Sequence, residues 1–354
     1  MRKPNISVCV VAKNAAKTTR PLFNSLKEFA DRGGDMVLVD TGSTDNTQTI
    51  YRAFGFRVFE VGDRFHITIP PEVAKEINDE TVALGDKEII EEGATLFNFS
   101  AARNHAASLA ENDYVLNPDA DEAFTVFDID KVEETFKTVT RFRYDFVFNH
   151  NADGTPGIFF VTDTRASDRR FWKWTGHVHE TNTAIAPNAT IAYVPPTAFK
   201  VEHYQVPSPT RTSYLAGLAY ACHLEPENDR NLHYYGRELL YRGYPRTAIA
   251  KLIKHVEISD WAAERGQSLI YIGDAFKELG DVTQAVGSWR EAIELDPTRR
   301  DGWIRLAKHY FSIGNPHMVA THALAATALP RVDFYGNQPE CYTWLPYHYL
   351  YWAY

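Results

Sequence analysis

Asn117-Pro118-Asp119-Ala120-Asp121-Glu122 sets two carboxylates at i and i+2 directly after the apolar run Tyr114-Val115-Leu116. In an extended segment such residues point the same way, so Asp119 and Asp121 can converge on one divalent cation and the diphosphate it bridges. Hard oxygen donors select Mg²⁺ or Mn²⁺, and the ion stabilises charge building on a departing nucleotide. Alone, the pair reads more readily as a solvated turn with a helix cap; its place after an apolar strand in a parallel sheet is what points to a metal. Asp40-Thr41-Gly42-Ser43-Thr44-Asp45 ends another strand-like run. Asp40 can accept from a uracil imide or a ribose hydroxyl there, while Ser43, Thr44 or Asp45 caps the helix that follows. In Phe99-Ser100-Ala101-Ala102-Arg103-Asn104, Arg103 near a helix start suits a phosphate or a base edge, or else a surface ion pair.

These residues must be carried by alternating strands and helices. Ile6 to Ala12 is a continuous β-branched run, as in a parallel strand buried on both faces, and Thr18 to Phe29 follows with helical spacing. Met36 to Asp40 and Arg57 to Val61 read as further strands, Ser100 to Ala110 as a helix, and Tyr114 to Leu116 as the strand before the acids. The alternation predicts an α/β fold with a doubly wound, mostly parallel sheet, whose carboxyl edge holds Asp40 and Asp119. Arg141 to Phe148 and Ile158 to Val161, around Asn151-Ala152-Asp153-Gly154, read as an antiparallel hairpin. Phe171 to Val178 and Ile191 to Val194 are expected as strands of the same sheet. The Pro-rich stretch 206–209 is read as the domain end, giving a first domain of 1–205 with an insertion at about 62–96.

The second domain, 206–354, is expected to be all-α. Leu269, Ile272, Gly273, Phe276, Ala285, Trp289, Ala292 and Pro297 carry the large-small-aromatic spacing of a tetratricopeptide repeat. The spacing recurs at Leu232 to Leu252 and at Trp303 to Ala326. The chain ends on Tyr349-Leu350-Tyr351-Trp352-Ala353-Tyr354 rather than on a polar cap, so a further repeat or another chain is expected to cover this end.

Composition narrows the function classes. The chain has 354 residues and a net charge of −9 from 37 Lys+Arg and 46 Asp+Glu, so it is no polycation that grips nucleic acid or anionic membrane indiscriminately. Residues 51–150 hold 10 basic and 20 acidic residues, which accounts for the whole excess and leaves a nucleic-acid acceptor open. Cys9, Cys222 and Cys341 are far apart, without disulfide or zinc-knuckle spacing, which fits a reducing compartment. No stretch approaches the ~20 apolar residues of a membrane span, and the location is read as cytoplasmic.

Together, Ile6 to Asn14, Val37 to Asp45, Ser100 to Asn104 and Asp119 to Glu122 resemble family 2 glycosyltransferases of the GT-A fold, over about the first 205 residues. The resemblance implies that Val11, Asn14, Asp40, Thr41, Arg103 and Asp119 bind the donor. It extends to Trp174-Thr175-Gly176-His177-Val178-His179-Glu180, similar to a Gly-x-x-His-Glu segment across the donor pocket, and implies Glu180 as the general base, the alternative being a structural Glu held by a neighbouring Arg such as Arg169 or Arg170. His179 is expected to orient Glu180, and Trp174 to stack on a sugar face or serve as core. Val201-Glu202-His203-Tyr204 looks like the family's late His-containing strand, which makes His203 a metal candidate with Asp119 and Asp121. Two departures stand out. Lys13-Asn14-Ala15 replaces the usual Lys-Asn-Glu, and the 62–96 segment interrupts the usual passage from strand to helix, as a lid or an acceptor-selecting loop.

The expected function is a metal-dependent, inverting transfer of a sugar from a nucleotide-diphosphate donor, UDP-linked, with Mn²⁺ or Mg²⁺ as cofactor. The similarity to sublancin-type peptide glycosyltransferases, which also carry helical repeats, implies a polypeptide acceptor. The alternatives are a hydroxymethylated base in phage DNA, or a repeat scaffold with an inactive transferase half. A nucleotidyltransferase would show a Gly- and Arg-rich loop after the first strand, and Val11-Ala12-Lys13-Asn14-Ala15 is not one.

Overall fold

A computed structural model describes residues 2–151, 153–205, 212–332 and 334–354. The Pro-rich stretch read as a domain end lies outside these residues. The chain divides into two compact units, residues 1–68 with 95–211 and residues 69–94 with 212–354.

The first unit is built on one large sheet. Its strands run in the order Arg57–Glu60, Asp35–Asp40, Ser7–Ala12, Tyr114–Leu116, Ala166–Asp168, Arg141–Val147, Phe199–His203, Glu122–Phe127. The first four are mutually parallel, as continuous β-branched runs buried on both faces require. From Ala166–Asp168 onward the sheet is mixed, with antiparallel pairing to Tyr114–Leu116 and between Phe199–His203 and Glu122–Phe127. The expected hairpin forms between Arg141–Val147 and Phe159–Thr162. Ile191–Tyr193 joins the main sheet, but among the described residues Trp172–Thr175 pairs only with Thr181–Ala184, in a separate ribbon, contrary to expectation. Its Asn104 clamp, described below, ties that ribbon to a helix instead of to the sheet edge.

Two layers cover the parallel half. On one face, helix Arg20–Asp31 buries Leu22, Leu26 and Phe29 completely, each worth about 1.5–3 kcal/mol of transfer free energy. On the other, helix Phe99–Ser108 and the turn after it press Ala102, Ala106, Ala107 and Ala110 onto Cys9, Val37, Val39 and Val115. Only small side chains at this spacing let the helix lie close to the sheet, and that closeness brings Arg103 to its carboxyl edge.

The second unit contains three helix pairs where the repeat spacing predicts them: Asp229–Tyr241 with Pro245–Ile258, Ala262–Glu278 with Val282–Leu295, and Asp301–Ser312 with Pro316–Ala328. A Cβ on Gly273 would lie 2.4 Å from the Trp289 indole nitrogen, so glycine is what lets the middle pair close over that fully buried ring. Helix Thr212–Leu224 precedes the pairs, and helix Leu345–Ala353 follows them with Tyr347, Tyr351 and Trp352 exposed.

Residues 69–94, from the expected insertion, belong to this helical unit. Their helix, Pro71–Ala83, packs on Thr212–Leu224. Lys251 binds Glu80 at 2.5 Å, and Asp86 Oδ2 accepts from the Thr247 backbone N–H at 2.7 Å. No helix among the described residues is long and apolar enough to cross a membrane, and all three cysteines are free and buried.

Candidate active site

Parallel pairing sets Ala12 opposite Asp40, so the loops that follow these two strands lie side by side. Asn14 stitches them together from a left-handed backbone conformation, φ 54°. Its N–H donates to Ser43 Oγ at 2.8 Å, and its Oδ1 accepts from the Thr44 N–H at 2.7 Å. The Thr41 hydroxyl donates to the Ala12 carbonyl at 3.2 Å, and Val11 is half-buried beside it in sequence. Asp45 accepts from the Thr47 N–H at 2.9 Å, at the start of helix Thr47–Phe54. Asp40 itself is fully buried. Its Oδ1 accepts from the N–H groups of Gly42 and Ser43 and from Gln48 Nε2 at 2.9–3.2 Å, while its Oδ2 is buried without a partner. A buried carboxylate oxygen left unmatched is costly, and a ligand N–H or O–H would satisfy it.

The charged centre is assembled around Asp119. Arg103 Nη2 donates to its Oδ1 at 2.6 Å, and Arg165 Nη2 donates to its Oδ2 at 2.5 Å. Burial penalises the carboxylate, but the two guanidinium groups outweigh this and hold Asp119 well below the usual carboxylate range. Arg103 also donates through Nε to Glu180 Oε1 at 3.0 Å, so it joins two acids 61 residues apart in sequence. Glu180 Oε2 takes no hydrogen bond among the described residues. Arg165 grips buried Glu122 as a fork, with Nε donating to Oε2 at 2.9 Å and Nη2 to Oε1 at 2.6 Å.

Secondary structure explains these meetings. Ala166–Asp168 pairs antiparallel with Tyr114–Leu116, with Ala166 opposite Leu116, which brings Arg165 beside the acidic turn. The Trp172–Thr175 strand is clamped to helix Phe99–Ser108 by Asn104, whose Oδ1 accepts from the Trp174 N–H at 3.0 Å and whose Nδ2 donates to the Trp174 carbonyl at 2.8 Å. Ser100 Oγ donates to the Gly176 carbonyl, and the turn passes through left-handed Gly176 and His179 before reaching Glu180. Trp174 is buried at 4 % exposure and its ring face is covered by Arg103 at 4.8 Å. The expected sugar-stacking role therefore gives way to its role as the platform under that guanidinium.

Asp121 and His203 form the second polar pair. The register sets His203 opposite Glu122, and His203 Nε2 lies 3.1 Å from Asp121 Oδ2. Burial disfavours the imidazolium, but Asp121 beside it raises the His203 pKa above its ordinary value. Among the described residues, Asp119, Asp121 and His203 do not gather ligand atoms within 4.8 Å as a set. Both Asp119 oxygens face arginines, so the expected triad resolves into a cation-capable Asp121–His203 pair and an arginine-bound Asp119. One carboxylate and one imidazole are donor types that suit Mn²⁺.

A family model matches residues 7–66, the segment that carries the first three parallel strands and the Asn14–Asp40 loops. The match is to Glycosyl transferase family 2. The resemblance expected from the motifs thus extends to the family's sequence profile. The chain is 24 % identical over 183 residues to an uncharacterized glycosyltransferase of Rickettsia bellii (strain RML369-C), covering 50 % of each chain. It is 25 % identical over 183 residues to one of Rickettsia conorii (strain ATCC VR-613 / Malish 7), covering 50 % of this chain and 52 % of the relative. The chain spans about half the length of the curated relatives it matches. Among solved structures it is similar to S. aureus TarS 1–349 in complex with UDP-GlcNAc, at 13 % identity and TM-score 0.39, covering 93 % of this chain and 91 % of that one. It is also similar to the MamA protein, at 20 % identity and TM-score 0.33, covering 40 % and 70 %.

Proposed function

We propose that this chain is a glycosyltransferase that moves a sugar from a nucleotide-diphosphate donor to a polypeptide with inversion at the anomeric carbon. The observation that carries the reading is Arg103 joining Glu180 to Asp119 in the unit that holds the family-matched segment. Asp40 Oδ2 is the group that accepts from the base or ribose, and uracil, with its imide N–H, suits it. Arg103 and Arg165 already offset Asp119, which leaves Asp121 and His203 to hold Mn²⁺ or Mg²⁺. When bound, that cation acts as a Lewis acid on the diphosphate leaving group. Glu180 keeps Oε1 on Arg103, which fixes the side chain's rotamer, and offers Oε2 to take the acceptor's proton. Deprotonating a nucleophile opposite the leaving group requires one base and gives inversion. The three helix pairs supply an extended surface of the kind that binds peptides, which supports the polypeptide acceptor.

A panel of sugar nucleotides with Mn²⁺, assayed for donor hydrolysis and transfer, tests the reading. One donor should turn over, and Glu180→Gln should cut kcat by roughly 10²–10⁴-fold with the donor KM nearly unchanged. Absence of turnover with every sugar nucleotide would sink it.

A further inference from the structure

The helical unit contains a buried cluster that the transferase reading does not use. His233 and His255 are fully buried and Glu264 is 4 % exposed, and one ligand atom from each lies within 4.8 Å of the other two. They come from three successive helices, Asp229–Tyr241, Pro245–Ile258 and Ala262–Glu278. We propose that His233, His255 and Glu264 form a binding site for a zinc-class divalent cation that ties the first helix pair to the second.

Three features favour an ion over a bare hydrogen-bond network. First, the network is incomplete: Nε2 of His233 is buried without a partner, and an unmatched buried nitrogen is costly. Second, the outer contacts match those that orient metal ligands. Ser268 Oγ holds His233 Nδ1 at 2.8 Å, which leaves Nε2 as the ligating atom, and the Tyr335 hydroxyl donates to Glu264 Oε1, which leaves Oε2. Third, His255 Nε2 lies 3.3 Å from Glu264 Oε2. That is long for a bond to a carboxylate, yet it matches the roughly 3.4 Å separating two ligands that each sit about 2.0–2.1 Å from a tetrahedral zinc. Two imidazoles and one carboxylate are a donor set for zinc, with a fourth position left for water.

The test uses the full chain carrying Asp121→Ala, to silence the other cation-capable pair, stripped with chelator and titrated with ZnCl₂ by calorimetry and with CoCl₂ by visible absorption. Expected are one equivalent of Zn²⁺ with Kd below about 1 µM, Co²⁺ bands of low-coordinate geometry, and a rise in Tm of about 5 °C at 100-fold excess over Kd. Ser268→Ala, which removes only an outer contact, should weaken Zn²⁺ binding roughly 10–100-fold, and His233→Gln and Glu264→Gln should weaken it further. If the ligand variants do not fold, Ser268→Ala and the Co²⁺ spectrum decide alone. No equivalent bound more tightly than about 10 µM, or binding unchanged in the variants that fold, would overturn the site.

Discussion

Asp119 illustrates how far residue types alone carry a site and where they stop. Its place after Leu116 marks it as functional, but the i, i+2 rule predicts a shared cation with Asp121, whereas both its oxygens are taken by Arg103 and Arg165. Arg103 was legible because it opens a helix in a recognisable segment. Arg165 was not, because Thr162-Asp163-Thr164-Arg165 carries no motif and the residue acquires its role only when Ala166–Asp168 pairs with Tyr114–Leu116. The buried partner it serves makes it testable. Removing one member of a buried ion pair strands the other, so Arg165→Ala should destabilise the first unit by about 3–5 kcal/mol through Glu122, measured by urea denaturation. The Arg165→Ala, Glu122→Gln double variant should recover part of that loss. Full additivity of the two substitutions would show that the fork is not the source.

At the scale of elements, the parallel strands and the repeat helices were readable because each follows a strict period: unbroken β-branched runs for strands buried on both faces, and the 34-residue large-small-aromatic pattern for helix pairs. The 69–94 segment has no such signal for the unit it joins. Its helix is exposed on one side and acidic, with eight Asp+Glu against two Lys+Arg across the segment, a composition that reads as a solvated loop. Its role is set by contacts distant in sequence. Helix Pro245–Ile258 has Tyr244 at its N-cap with no side-chain cap, and Asp86 supplies the missing acceptor at Thr247. A carboxylate there meets both an orphan N–H and the positive end of the helix dipole. Asp86→Ala should therefore lower the stability of the helical unit by about 0.5–2 kcal/mol, and Asp86→Asn by less. Unchanged hydrogen exchange at the start of that helix would remove the capping role.

Over the whole molecule, the −9 charge traces to residues 51–150, which the structure divides between the two units. Part of the acidic excess belongs to the helical unit, where Glu80 meets Lys251 and Asp86 caps a helix. That unit also holds histidines that resist protonation. Burial, with Lys277 near His309 and Arg290 near His322, pulls both below the ordinary 6.5, and both His322 nitrogens are buried without partners. A depressed folded-state pKa means that the unfolded chain binds the proton first. Stability is then complete above about pH 6.5 and falls as the pH drops below it. Thermal melts from pH 8 to pH 5 should show Tm falling across that window, and His322→Phe should flatten the fall; a profile identical to wild type would exclude His322 as its source.

The central claim is that the carboxyl edge of the parallel strands holds a nucleotide through Asp40 and a cation through Asp121 and His203. Calorimetric titration of UDP into the chain with and without Mn²⁺ tests it most directly, with Asp40→Ala and Asp121→Ala as controls. UDP binding is expected to strengthen with Mn²⁺, to lose that gain in Asp121→Ala, and to weaken at least about 10-fold in Asp40→Ala. UDP binding of equal affinity in all three proteins, or none in any of them, would contradict it.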